Sequence, residues 1–188
     1  TGVSFRILKR NDTDDLLSVK DEFFKAMHPY AYGFDDDMLE GVLAERLIFK
    51  KLTISTAESC TGGLIGKRLT DVAGSSTYFL GSITAYSNKL KTDLLGVSEN
   101  TLQAHGAVSE EVALEMAEGI LNNTHADIGI STTGISGPDG GSEGKPTGLV
   151  YIGVVTPEIS RVKKYIFRAK RHIHREITTT AALNITRL

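Results

Sequence analysis

The feature that most constrains the fold of this chain is the regular alternation of strand-like and helix-like segments from Lys51 onward. Short apolar runs rich in β-branched residues predict strands, and apolar residues at helical spacing predict helices between them. The predicted strands are 52–56, 78–86, 127–132, 149–155 and 161–168. The predicted helices are 62–74, 87–96, 109–124 and 174–188. This order predicts an α/β fold, a three-layer α/β/α sandwich around a mixed or mostly parallel sheet.

The residues before this alternation predict a small α+β extension. Residues 3–8 alternate apolar and polar side chains, which is typical of a strand, and residues 14–27 have the apolar spacing of a helix. Pro29 and Gly33 then interrupt the pattern before another helix at 38–49.

We therefore predict an N-terminal extension over residues 1–33 and a larger domain over 34–188. The first residue is Thr1 and not Met, so we expect the sequence to begin inside a longer protein.

Composition argues against several function classes. The formal net charge of -2 and the pI of about 6.2 give no basic footprint for nucleic acid or for an anionic membrane. No stretch approaches the roughly 20 apolar residues of a membrane helix. The single cysteine, Cys60, cannot form an internal disulfide, which favours a reducing, cytoplasmic compartment. No set of residues has metal-ligand spacing, so we expect neither a metal nor a cofactor.

The segment TAESCTGG, residues 56–63, is the first candidate site. A strand ends there, Ser59 and Cys60 follow, and two glycines open a helix whose free amides can bind an anion or a developing oxyanion. Ser59 is then well placed to attack a carbonyl carbon. A purely structural role is equally compatible with these residues, since a hydroxyl here can simply cap the helix.

Cys60 competes with Ser59 as the nucleophile, because a helix N-terminus lowers the pKa of a thiol. A catalytic cysteine usually works with a histidine, and none lies near Cys60 in the sequence. All five histidines fall in predicted loops or at helix ends, where we expect solvated side chains: His28, His105, His125, His172 and His174.

The second candidate site is AYSNKLK, residues 85–91, at the end of a predicted strand. Tyr86 and a lysine from this segment can turn toward the same end of the sheet as Ser59. A lysine deprotonates a serine only if its pKa falls well below its ordinary value of about 10.4. The residues themselves do not distinguish Lys89 from Lys91.

The third candidate site is the glycine-rich segment 132–148 between two strands. Long connections of this kind inside a compact domain are usually functional. The spacing does not fit a phosphate-binding P-loop, because Asp139 and Pro146 occupy required positions and a strand follows. Thr133 and the amide of Gly134 remain candidates for binding substrate.

Together these segments resemble the C-terminal domain of CinA proteins, the nicotinamide mononucleotide deamidase family. The motifs AESCTGG, AYSN with Lys91 and LLGV, HGAVSEEVA, and SGPDGG with KPTG stand in the order and spacing of that family. The resemblance runs from about Leu52 to the C-terminus. The residues before it resemble the stretch that precedes this domain in full-length CinA proteins.

The resemblance implies an amidohydrolase that converts nicotinamide mononucleotide to nicotinic acid mononucleotide and ammonia. By position, Ser59 would be the nucleophile, Lys91 rather than Lys89 its base, and Tyr86 a group that relays or orients the proton. The residues implied for the oxyanion and the substrate are Cys60, Thr61, Gly62, Gly63, Thr133, Gly134 and Arg171. An acidic residue usual in the family is replaced by Lys170, and Arg175 is the rival to Arg171.

The resemblance also implies a homodimer whose only partner is the small nucleotide. Two other classes of function stay open at this stage. One is a non-catalytic, regulatory module that binds the nucleotide, and the other is an amidase that uses Cys60.

Overall fold

We describe a computed structural model of the chain for residues 3–11 and 15–188. The strands are β1 (Ile54–Glu58), β2 (Phe79–Thr84), β3 (Ile128–Gly134), β4 (Leu149–Val155) and β5 (Ser160–Ile166). The helices are α1 (Leu16–Ala26), α2 (Leu39–Lys50), α3 (Leu64–Thr70), α4 (Asn88–Leu95), α5 (Glu99–His105), α6 (Glu110–Thr124) and α7 (Arg171–Arg187). Within the described ranges, no helix is both long enough and apolar enough to cross a bilayer.

The five strands form one mixed sheet in the order β2-β1-β3-β4-β5. Strand β1 runs parallel to β2 and β3, whereas β4 is antiparallel to both β3 and β5. The carboxyl ends of β1, β2 and β3 therefore meet at one edge of the sheet, which is where α/β folds place ligands. The predicted mixed sheet is confirmed.

Helices cover both faces of the sheet. Helices α2, α3 and α7 pack together on one face, around an apolar core that includes Leu43, Ile65 and Leu183. Helix α6 crosses the other face, where α4 and α5 pack against it and a second core includes Met116 and Ile120. This arrangement confirms the three-layer α/β/α architecture.

The N-terminal extension differs from its prediction. Residues 3–9 form no strand, and their side chains are exposed apart from Ile7, which is half-buried. A strand needs a neighbour for its backbone hydrogen bonds, and no described strand pairs with this segment. The predicted helix is present as α1, capped by the Asp15 carboxylate, while Asp14 lies outside the described residues.

Helix boundaries near the site also differ from the sequence pattern. Helix α7 begins at Arg171 and not at the predicted His174. The prediction was too late because no capping side chain marks the start of this helix in the sequence. Because the helix begins at Arg171, this residue and Arg175 lie one helical turn apart on the same face. Helix α3 is shorter than predicted, and α5 was not predicted at all.

Candidate active site

Ser59 lies in a tight turn between β1 and α3, which we call the nucleophile turn (residues 59–63). Its amide donates to the carbonyl oxygen of Thr132 at 3.0 Å, and the amide of Gly62 donates to the carbonyl oxygen of Ser59 at 3.1 Å. Gly62 and Gly63 have φ values of 61° and 92°, which side chains with a Cβ rarely adopt. The glycine pair thus lets the chain pass directly from a buried strand into a helix, with Ser59 at the corner.

Glu58, the last residue of β1, holds the start of α3. Its buried carboxylate accepts hydrogen bonds from the amides of Gly63 at 2.9 Å, Ile65 at 3.1 Å and Gly66 at 2.8 Å. Glu58 was not among the residues predicted for the site. The available signal was an acidic residue that ends a buried strand, just before a helix with no capping side chain of its own.

Lys91 reaches the serine from α4. Ser87 caps this helix, which places Lys91 one turn inside it with only 1% of its surface exposed. The Nζ atom lies 3.1 Å from Ser59 Oγ and donates to the carbonyl oxygens of Ala85 at 2.9 Å and Tyr86 at 3.3 Å. No carboxylate in the described part of the chain lies within ion-pair distance of Lys91.

These surroundings suit an uncharged amine. Burial lowers the pKa of Lys91 from its ordinary value of 10.5, and the nearby Cys60 opposes the shift only in part. A neutral amine has two N–H groups and one lone pair. With the two hydrogens on the carbonyls of Ala85 and Tyr86, the lone pair of the uncharged amine faces the Ser59 hydroxyl; in the charged form a third hydrogen donates to Ser59 Oγ instead.

Lys89 has a different environment from Lys91. It is exposed on the outer face of α4, where its Nζ pairs with Asp93 at 2.5 Å. The carboxylate raises the pKa of Lys89, so this lysine is held in its charged form. Of the two lysines, the structure brings only Lys91 to Ser59.

Cys60 is buried beside the serine. Burial, chiefly, raises the pKa of its thiol to about 12, and the charge of Glu58 adds to this increase. A thiol with this pKa is protonated at neutral pH and is a poor nucleophile. The local environment therefore favours Ser59 over Cys60.

The four amides of residues 60–63 differ in whether they already donate to the protein. Those of Gly62 and Gly63 donate to protein oxygens. Among the described residues, no oxygen atom accepts a hydrogen bond from the amide of Cys60 or of Thr61. Thr61 is inaccessible to solvent whereas Cys60 is 5% exposed, so the Cys60 amide is the better candidate for an oxyanion donor.

Tyr86 lies at the mouth of the site, with 59% of its surface exposed. Its hydroxyl accepts a hydrogen bond from Arg171 Nη2 at 2.8 Å, and only its backbone carbonyl contacts Lys91. Arg171 also donates through Nη1 to the carbonyl oxygen of Gly137 at 3.1 Å. In the structure the phenol is thus part of an arginine-centred group, and it makes no hydrogen bond to Ser59 or Lys91.

Thr133 and Gly134 lie at the end of β3, next to this group. The Thr133 hydroxyl is buried and donates to the carbonyl oxygen of Ala107 at 2.6 Å. A Cβ at Gly134 would come within 2.7 Å of the Leu149 carbonyl, so a side chain there would push β3 and β4 apart. Both residues shape the wall of the site, and the Thr133 hydroxyl retains only its capacity to accept a hydrogen bond.

Arg175 contacts the nucleophile turn directly. Its Nη2 donates to the carbonyl oxygen of Thr61 at 2.8 Å, and a Cβ added at Gly62 would lie 3.0 Å from the same nitrogen. The two candidate arginines therefore have distinct contacts. Arg175 holds the turn that carries Ser59, whereas Arg171 joins Tyr86 to Gly137.

His174 is not the solvated residue that the sequence predicted. It is fully buried, with Nδ1 at 3.0 Å from Ser136 Oγ and Nε2 at 3.1 Å from the carbonyl oxygen of Gly148. Burial lowers the pKa of His174, which favours a neutral ring that donates through Nε2 and accepts at Nδ1. The ring thereby ties both ends of the glycine-rich loop (residues 135–148). The prediction was wrong because it placed His174 at the end of α7, whereas the residue lies within the helix, on a side that packs against the protein. The other four histidines are exposed, as expected.

The chain around the two arginines carries an unbalanced positive charge. From residue 159 to 175 the sequence has seven Lys and Arg residues and no Asp or Glu. None of these cations has a carboxylate within ion-pair distance among the described residues. Four of the seven, Arg168, Lys170, Arg171 and Arg175, follow the end of β5 that pairs with Leu149, and such cations attract anionic ligands.

Known proteins match both the sequence and the fold. The family described as the CinA C-terminal domain matches residues 36–188. A CinA-like protein of Chloroherpeton thalassium is 52% identical over 162 residues, which cover 84% of this chain and 39% of that protein. A protein of Alkaliphilus oremlandii, named as competence-damage inducible, is 43% identical over 191 residues, covering 99% of this chain and 46% of the relative. This chain thus spans about half the length of that relative.

Solved structures give the same result. The crystal structure of competence damage-inducible protein A from Klebsiella pneumoniae MGH 78578 matches with a TM-score of 0.77 and 32% identity, covering 79% of this chain and 92% of that one. A competence-damaged protein superfamily member from Escherichia coli matches with a TM-score of 0.76 and 28% identity, covering 86% and 97%.

Proposed function

This chain belongs to the CinA C-terminal domain family, and from that premise we propose that it is an amidohydrolase acting on the carboxamide of nicotinamide mononucleotide. One observation carries the proposal. The buried Lys91 amine has no carboxylate partner among the described residues and lies 3.1 Å from the Ser59 hydroxyl. A lysine in this environment is the kind of base that activates a serine.

The first half of the reaction forms an acyl-enzyme. Lys91 Nζ takes the proton of Ser59 as Oγ bonds to the carboxamide carbon, and the amide of Cys60 donates to the resulting oxyanion. The carbon–nitrogen bond then breaks, and the leaving nitrogen takes the proton from the Lys91 ammonium. Ammonia departs, and Lys91 is neutral again.

The second half consumes one water molecule. Lys91 takes a proton from water, whose oxygen bonds to the acyl carbon. When the bond to Ser59 Oγ breaks, the proton on Lys91 returns to that oxygen. The products are a carboxylic acid and the original enzyme. Because Lys91 contacts Ser59 directly, the proton needs no relay through Tyr86.

A phosphate-bearing substrate fits the charge of the site. Arg171 is exposed, and its guanidinium is held by neutral oxygens of Tyr86 and Gly137 with no carboxylate competing for it. A planar guanidinium of this kind suits a phosphate group. We assign Arg171 to the phosphate and Arg175 to the support of the nucleophile turn. The homodimer implied by the resemblance and the cytoplasmic location favoured by the single cysteine stay predictions.

The proposal is tested by ammonia release from nicotinamide mononucleotide with Ser59→Ala and a matched control, Ser55→Ala. Ser55 lies on β1, the strand that leads to Ser59, and its buried hydroxyl has no hydrogen-bond partner among the described residues, so its loss should leave the rate nearly unchanged. We expect the Ser59→Ala variant to lose activity by about 10³-fold or more.

Each other outcome contradicts part of the proposal. Full activity in Ser59→Ala shows that another group is the nucleophile. Loss of activity in Cys60→Ala together with retention in Ser59→Ala identifies a cysteine enzyme. If calorimetry shows that the wild-type chain binds the nucleotide but assays detect no ammonia, the chain is a non-catalytic binding module.

A further inference from the structure

Three amides at the start of α3 are already occupied by a side chain of the protein. A helix start usually leaves its first N–H groups without partners, which makes it a common anion site. Here the carboxylate of Glu58 accepts from the amides of Gly63, Ile65 and Gly66. A negatively charged part of the substrate therefore cannot use these three amides unless Glu58 is displaced.

Two hydroxyls also contact the Glu58 carboxylate, and the Glu58 side chain is inaccessible to solvent. Its Oε1 atom lies 3.2 Å from Thr56 Oγ1 and 3.4 Å from Ser82 Oγ, and the two hydroxyl oxygens lie 2.8 Å apart. Each hydroxyl has one hydrogen, so when one donates to the other, a single hydrogen is left for the carboxylate. Three amides and at least one hydroxyl thus surround one carboxylate, which satisfies a group that would otherwise be costly to bury.

This arrangement acts on the residue that follows. Glu58 is covalently joined to Ser59, and its side chain bridges to Gly63, the last residue of the nucleophile turn. The hydrogen bond from the Gly63 amide to the Glu58 carboxylate thus connects the residue before the turn to the last residue of the turn. The amides of Cys60 and Thr61 lie between these two residues, and no oxygen of the described residues accepts from them.

We propose that Glu58 is a positioning residue, whose bridge to the start of α3 holds the Ser59 hydroxyl and the Cys60 amide in the geometry that stabilises the oxyanion. The inference rests on the amidohydrolase function proposed above. It assigns Glu58 no contact with substrate. Its effect is expected on the reaction step, because displacements of about 1 Å at a reacting group can cost 10²-fold in rate.

The charge of Glu58 has a second effect in the same turn. Together with burial it keeps the pKa of the neighbouring Cys60 thiol high. The carboxylate thus helps to keep the sulfur protonated while it fixes the serine. Both effects favour the oxygen nucleophile.

The test is Glu58→Gln, which keeps the size of the side chain but replaces one accepting oxygen with a donating NH₂ group. This group must then face amide hydrogens of α3 and cannot accept from them. We expect kcat for ammonia release to fall about 100-fold, with KM changed less than about twofold. A simple loss of substrate binding would change KM instead.

The matched control is Glu40→Gln. Glu40 is also a nearly buried carboxylate and pairs with Arg68 of α3 at 2.6 Å, but it lies on α2, away from the nucleophile turn. We expect this variant to lose stability while keeping its kcat. Thermal unfolding of both variants separates a general loss of stability from a loss confined to the turn.

A second readout reports on the turn itself. The Cys60 thiol in the native wild-type protein should react slowly with iodoacetamide, because it is buried and protonated. We expect faster alkylation in Glu58→Gln than in Glu40→Gln at the same pH and at a temperature well below unfolding. Equal labelling rates would show that the turn does not depend on Glu58.

A milder variant covers the case in which Glu58→Gln does not fold. Thr56→Val removes a single donor to the carboxylate and preserves the shape of the side chain. It should lower kcat about three- to tenfold with KM unchanged. If the folded variants keep the kcat of Glu40→Gln while Ser59→Ala is inactive, the positioning role is wrong and the proposed function stands. If Ser59→Ala is active, the proposed function itself fails.

Discussion

The nucleophile turn and the glycine-rich loop border the same site, but different contacts join them to the rest of the domain. The turn is held by the buried carboxylate of Glu58 and by a backbone hydrogen bond from Ser59 to β3, with Arg175 as a further contact. The loop has backbone hydrogen bonds of its own, and side chains join it to the neighbouring helices. Arg171 donates to the carbonyl of Gly137, and near the far end of the loop its own Lys145 donates to the carbonyl of His105.

This difference separates reactivity from recognition. The groups that would break the amide bond are arranged before any substrate arrives, which reduces the reorganisation needed in the transition state. The groups at the mouth of the site are cations bonded to neutral oxygens. An anionic substrate can compete for them, because a hydrogen bond between two charged groups is stronger than one to a carbonyl. Substitutions of the buried Lys91 and of the outer Arg171 test this separation.

The largest effect should come from removing the buried amine. Lys91→Met keeps the length of the side chain but removes the base, so we expect kcat/KM for ammonia release to fall by about 10³-fold. Lys89→Met, two residues away on the same helix, should stay within about twofold of wild type, because Lys89 is exposed and paired with Asp93. Similar losses in both variants would contradict the assignment of Lys91 as the base.

The pH dependence should report the same amine. Burial lowers the pKa of Lys91, and only its neutral form accepts the serine proton. The reactive fraction therefore grows as pH rises through this pKa, and it falls about tenfold for each pH unit below it. We expect kcat/KM, measured from about pH 6 to 10, to show this acidic limb in wild type and in Lys89→Met. A profile that declines as pH rises would mean that the charged form is the active one.

A smaller and different effect is expected at the mouth. Arg171→Gln removes the charge but leaves a hydrogen-bonding group, so KM should rise about tenfold while kcat changes less. The control is Arg168→Gln, which removes an exposed cation from the same positive segment. If Arg171→Gln lowers kcat and leaves KM unchanged, recognition and reactivity are not divided between the two regions as proposed.

Much of the fold follows from local patterns in the sequence. The five strands are continuous apolar or alternating runs, and Ser87 and Ser109 cap α4 and α6 as sequence rules predict. Residues 3–8 failed as a strand because alternation alone supplies no pairing partner. Helix α7 was predicted to start too late because its first turn is basic and has no cap.

The site was predictable only where a residue type implies chemistry. Ser59 stood out through its glycines, and the choice of Lys91 over Lys89 came from the family resemblance, since neither residue differs in local pattern. Glu58 and His174 were missed for different reasons. The role of His174 arises from burial and from partners distant in the sequence, such as Gly148, which no local pattern contains. The main partners of Glu58 are amides only five to eight residues away, so a local signal existed there and was not used.

The one-turn spacing of Arg171 and Arg175 has a mechanical consequence for the domain. Both arginines belong to α7, so a translation or rotation of this helix would move the two guanidinium groups by similar amounts. An anion that displaces Arg171 along the helix axis would therefore also displace Arg175, which contacts the Thr61 carbonyl two residues after Ser59. A movement of α7 would thus couple the binding of an anion to the position of the Ser59 hydroxyl.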